Sequence, residues 1–156
     1  MRRSLLLLPL LLLVLAARSP AAEPPRPGKD ERCAVCGMLV APFPQWVAVL
    51  EFKDGRRFYF DGPKDMFVAF FDLPANIPGA SIDQVSGVYV TEYYSTRLLP
   101  AAEVLFVTGS NVLGPMGKEL VPVAGAEAAE TFRRDHAGEK IMRFDGRQLV
   151  EVAPRP

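Results

Sequence analysis

The chain has 156 residues, with 18 Lys and Arg against 18 Asp and Glu, a single His, and a formal net charge of zero at neutral pH. Without a basic excess or a Lys/Arg-rich run, the composition excludes a nucleic-acid-binding protein and a polybasic membrane-surface module. Two cysteines exclude a multi-bridge disulfide scaffold, and the length suits one small domain, or two very small ones sharing a core.

Arg2 and Arg3 precede an apolar run over 5–15, and Ser19-Pro20-Ala21-Ala22 offers small residues for cleavage, so residues 1–22 read as a secretory leader. The run falls short of the roughly 20 apolar residues of a spanning helix, so it touches the membrane only if it stays uncleaved. No Cys stands in the cleavage region, which argues against a lipid anchor there. Loss of the leader removes Arg2, Arg3 and Arg18, leaving 15 basic residues against 18 acidic ones.

Residues 23–32 form a proline-rich tether, expected to be extended and solvated. The string Cys33-Ala34-Val35-Cys36-Gly37-Met38 follows where the tether meets the folded body. Pro42 and Pro44 then bar a helix, 46–52 reads as a strand, Asp54-Gly55 as a hairpin turn and 57–61 as the returning strand. Asp61-Gly62-Pro63 marks a helix start with Asp65 in its first turn, and Met66, Phe67, Phe70 and Phe71 recur at helical spacing. These pieces make a first unit over 33–80.

A second unit over 85–153 has a similar rhythm. Strands are expected over 87–94 and 104–107, a glycine-rich loop over 110–117, and a short edge strand over 119–123, because Pro122 lacks a donor. A helix over 126–137 ends at Gly138, and a closing hairpin turns at Asp145-Gly146. The fold class that follows is α+β, built from two related hairpin-plus-helix units of ββαβ type.

The sulfur string holds the only two cysteines. A bridge across so short a loop adds little chain-entropy stabilisation, so a purely structural disulfide is the weaker reading. A thioredoxin-like motif should follow a strand and open a helix, whereas this one follows a proline tether. Tetrahedral zinc needs four ligands, and only His136 and acidic residues are left to complete them. Two thiols with a nearby thioether suit low-coordinate Cu(I) better, although mercury or silver would suit the same donors. Met38 and Met116, the latter in Gly114-Pro115-Met116-Gly117, are the candidate thioethers, each set against an ordinary packing role. Met66 on the aromatic helix face and His136 near a helix C-terminus rank behind them. With one His there is no nucleophile–base constellation, and no P-loop or dinucleotide fingerprint occurs, so no enzyme is expected.

The chain resembles the NosL family of exported copper chaperones. The resemblance rests on Cys33-Ala34-Val35-Cys36-Gly37-Met38, on Asp54-Gly55 with Phe60-Asp61-Gly62-Pro63-Lys64-Asp65-Met66, and on Val107-Thr108-Gly109-Ser110. It continues through Gly114-Pro115-Met116-Gly117-Lys118-Glu119-Leu120-Val121-Pro122, Phe132 and His136-Ala137-Gly138-Glu139. It implies Cu(I) held by cysteine and methionine sulfur and delivered to nitrous oxide reductase by ligand exchange in the periplasm, alongside that enzyme's maturation machinery. It also implies two small α+β units similar to part of organomercurial lyase. By this carry-over Cys33, Cys36, Met38 and Met116 are the ligand candidates, with Met66 and His136 behind. Members of the family are commonly lipoproteins, and this chain departs from them in lacking a Cys at the cleavage site. The competing readings are a periplasmic thiol–disulfide protein and a soft-metal sequestration protein.

Overall fold

The computed structural model describes residues 26–153. The expected leader and the first part of the tether lie outside the described residues. The first strands, β1 (Ala48–Phe52) and β2 (Arg57–Phe60), pair antiparallel with Leu50 opposite Phe58. Gly55 takes a positive φ of 87° in their turn, where Asp54 Oδ1 accepts the Arg56 N–H at 3.0 Å. Pro63 then opens helix α1 (Pro63–Phe71), and its missing N–H costs nothing at that position. A short helix α2 (Leu73–Asn76) leads into β3 (Val85–Thr91) and β4 (Leu98–Pro100).

The remainder comprises β5 (Leu105–Thr108), β6 (Leu113–Gly114), β7 (Gly117–Lys118), β8 (Val121–Val123), helix α3 (Ala126–Asp135), β9 (Lys140–Phe144) and β10 (Leu149–Glu151). Two four-stranded sheets result, ordered β2-β1-β3-β4 and β10-β9-β5-β8, with every neighbouring pair antiparallel. Both follow one path. A hairpin is followed by a helix, the next strand pairs with the free side of the first, and one more strand is added outside. β5, β8, α3, β9 and β10 thus retrace β1, β2, α1, β3 and β4, and the α+β duplication expected from the sequence is present.

Two local expectations are corrected. The strand at Val85–Thr91, assigned from the sequence to the second unit, belongs to the first sheet. β1 is buried along almost its whole length, so the backbone on its second side needs a partner that water cannot replace, and β3 supplies it. The loop over 110–117 is a small hairpin, with Leu113 opposite Lys118 and Pro115-Met116 at its turn. Pro122 does lie on an edge strand, because β8 ends its sheet.

The units share a core. Phe67 of α1 meets Phe106 of β5 and Phe144 of β9, each with ring centroids 5.2 Å apart. Leu50, Phe52, Phe60 and Met66 are sealed in the same cluster, which also takes in Cys33. A second cluster under α3 joins Val107, Val121, Val123, Ala129 and Phe132 to Trp46. The start of α1 lies next to the β6–β7 hairpin, where Lys64 Nζ donates to the Lys118 carbonyl at 3.1 Å.

Candidate metal centre

The sulfur string closes on itself as a tight loop. Arg32 and Leu39 form an isolated antiparallel bridge across its base. The Cys33 N–H donates to the Met38 carbonyl at 2.8 Å, the Gly37 N–H to the Cys33 carbonyl at 2.9 Å, and the Arg32 guanidinium to the Gly37 carbonyl at 2.8 Å. Gly37 has a positive φ of 76°, which a residue with a Cβ adopts only under strain. No helix follows Cys36, unlike a thioredoxin-type motif.

Both thiols are free, Cys33 buried and Cys36 partly so. Beneath the loop, Asp61 leaves the end of β2 and Asp65 projects from the first turn of α1. Asp61 Oδ1 lies 3.3 Å from Cys36 Sγ, and Asp65 Oδ2 lies 3.5 Å from Cys33 Sγ. One ligand atom from each of Cys33, Cys36, Asp61 and Asp65 falls within 4.8 Å of all the others. The carboxylates are 1 % and 7 % exposed, and among the described residues neither pairs with Lys or Arg. Asp61 Oδ2 is buried without a hydrogen-bond partner. Buried charge left uncompensated is costly, so this arrangement favours a cation between the four side chains.

Burial pushes the Cys33 thiol far above its ordinary range, and it also raises Cys36. The metal-free thiols are therefore protonated at neutral pH and donate S–H to the carboxylates. A metal that takes them as thiolates must displace those protons.

Met116 stands at the exposed tip of the β6–β7 hairpin, 47 % accessible. Its carbonyl accepts from Lys64 Nζ at 3.4 Å, so the tip lies beside the helix turn that separates Asp61 from Asp65. Met38 is half-buried in the sulfur loop. Met66 is fully buried in the cluster that contains Cys33. His136 ends α3 with its ring 4.3 Å from Phe132 and 6.2 Å from Tyr93, against the second cluster. The structure thus gathers the cysteines with two carboxylates, brings the Met116 tip to the same helix turn, and sets His136 against α3.

Asp61 and Asp65 were absent from the sequence-derived candidates. Asp65 reads as a helix-dipole residue, and Asp61 as the residue where the returning strand meets the helix start. Their one signal is a four-residue spacing across a Gly-Pro helix start, and that spacing says nothing about burial. Glu119 was missed as well. It is buried beside the same turn, and desolvation lifts its carboxyl to about 7.

A family model described as NosL matches residues 24–148. The crystal structure of the copper chaperone NosL from Shewanella denitrificans is similar, with a TM-score of 0.66 and 26% identity over 81% of this chain and 96% of that one. No curated protein matches the chain. Among the described residues, no helix is long and apolar enough to cross a membrane.

Proposed function

The chain belongs to the NosL family, and from that membership together with the thiol–carboxylate cluster we propose that it is an exported Cu(I) metallochaperone. Copper is its cargo, its client is a copper enzyme with nitrous oxide reductase as the leading candidate, and its other partners are that enzyme's maturation machinery. It acts in the periplasm as a binding and transfer protein with no reaction of its own. The solved NosL relative is a copper chaperone by its description, which supports carrying the cargo over.

The observation that bears most weight is the convergence of Cys33, Cys36, Asp61 and Asp65 within 4.8 Å. Soft thiolates select Cu(I) over harder divalent ions. Cys33 and Cys36 serve as the thiolate donors, and Met38 and Met116 as thioethers that complete a low-coordinate site. Asp61 and Asp65 accept hydrogen bonds from the two thiols, so a carboxylate stands beside each proton that the ion must displace. Low-coordinate Cu(I) leaves room for an incoming sulfur ligand to add before a resident one departs, so release proceeds by ligand exchange. Met116, exposed at its tip, is the donor a partner displaces most readily. Met66 and His136 stand outside this ligand set. The thiol–disulfide alternative fits less well, because a reactive redox cysteine needs a lowered pKa and burial raises both thiols here.

An anaerobic competition titration of the reduced protein against a coloured Cu(I) chelator tests the reading, with Cys33→Ser and Cys36→Ser alongside. Tight one-to-one binding weakened by either substitution is expected, and a wild type unable to compete would overturn it. Delivery is separated from storage by copper transfer to apo-client. That transfer should run faster from this protein than from the chelate, and no gain would leave sequestration as the function.

A further inference from the structure

Three polar contacts tie the β6–β7 hairpin to the start of α1, and Lys64 is the donor in all three. Lys64 Nζ donates to the Met116 carbonyl at 3.4 Å and to the Lys118 carbonyl at 3.1 Å. The third is Glu119, whose Oε1 accepts the Lys64 backbone N–H at 2.6 Å and its neighbour Leu120's N–H at 2.9 Å. The Lys64 N–H is one of the first-turn donors of α1 that no helical carbonyl can satisfy. Glu119 therefore caps α1 from across the chain, where Gly62 at the N-cap has no side chain to do so.

Glycines on both elements make room for it. Gly62 has an extended backbone, φ −169°, open to any residue, yet a Cβ there would overlap Glu119 Oε2. On the hairpin, a Cβ on Gly114 would press on Glu119 Cγ at 3.1 Å. The glycines of Asp61-Gly62-Pro63 and Gly114-Pro115-Met116 thus shape two walls around one carboxyl group.

We infer that Glu119 is a positioning residue that seats the hairpin, and with it Met116, on the helix turn between Asp61 and Asp65. The docking itself is a property of the metal-free protein. Only the consequence for copper affinity rests on the reading of Met116 as a donor.

The test uses two readouts on the full chain. By hydrogen exchange of the metal-free protein, Glu119→Ala should speed exchange at Lys64, Gly117 and Lys118 while β1 and β3 stay protected. Glu119→Gln, which keeps the accepting oxygen, should restore protection. Gly62→Ala, which drives the carboxyl out of its place, should reproduce the alanine variant and carries the test if Glu119→Ala does not fold. By Cu(I) competition, Glu119→Ala should weaken binding by roughly 10-fold to 100-fold, the usual range for a residue that orients a ligand. Combined with Met116→Ala it should cost no more than Met116→Ala alone. Unchanged exchange at the hairpin, or an equal loss of affinity with and without Met116, would overturn the assignment. Absence of copper binding by wild type would instead sink the chaperone reading, and the exchange measurement would still decide whether Glu119 docks the hairpin.

Discussion

Copper affinity should rise with pH at a slope that counts the protons displaced from the site. Burial raises both Cys33 and Cys36, so the metal-free protein carries both thiol protons throughout the neutral range. Binding as a dithiolate removes both, so the unbound state holds more protons than the bound one, and linkage makes binding stronger as pH increases. Each proton displaced is worth about 1.4 kcal/mol, a factor of ~10, per pH unit. Two protons over two pH units then amount to about 5 kcal/mol, or roughly 10,000-fold tighter binding at pH 8 than at pH 6. If only one thiol proton leaves on binding, the gain falls to roughly 100-fold by the same arithmetic. The assay is the chelator competition repeated across this range at fixed ionic strength, with the chelator's own protonation corrected. A flat profile would refute the argument, since it would mean that the thiols are ionised before copper arrives or are not ligands.

Three further expectations concern the surroundings of the site. Glu119 binds its proton more tightly in the folded protein, at about 7 against an ordinary 4.5. The unfolded chain loses that proton first, so its contribution is fully present below the ordinary value and is lost as pH rises through about 7. The loss amounts to about 3 kcal/mol. Desolvation dominates, with Lys64 lowering and Asp65 raising the value. Denaturant melts of wild type and Glu119→Gln should diverge across that window, and parallel curves would refute the shift. Met66→Leu conserves volume in the sealed core, so it should cost under about 1.5 kcal/mol and leave copper affinity unchanged. A large affinity loss without a stability change would return Met66 to the ligand set. Gly37→Ala meets open space but a φ of +76°, so only backbone strain opposes it. A loss of roughly 1–2 kcal/mol in stability is expected, together with weaker copper binding, and an unchanged melt would show that the loop tolerates another backbone path.

Much of the fold was legible because its signals are local. Asp54-Gly55 and Asp145-Gly146 announce hairpins through the positive φ their glycines adopt, 87° and 98°. Pro63 and the spacing of Phe67, Phe70 and Phe71 announce α1. The strand at Val85–Thr91 was assigned to the wrong unit because strand pairing is a long-range choice. Chain order set it among the strands that follow, whereas the burial of β1 requires it on the first sheet. The hairpin at 113–118 was read as a loop because two-residue strands carry no periodicity.

By itself, the sequence determined which candidate sulfur donors stand together and the chemistry they favour. Two thiols and a thioether within six residues are soft ligands in any conformation, since donor softness belongs to the atom and not to the fold. Tertiary structure alone decided the rest of the constellation. Asp61 and Asp65 are ordinary strand-end and helix-start residues until packing buries them against the two sulfurs and leaves one carboxylate oxygen without a partner. Glu119 is an ordinary surface-type residue until the second unit folds back and presses it against the first turn of α1. The hydrogen bond that fixes Glu119 on α1 joins residues 55 positions apart, and no local pattern encodes such a distance.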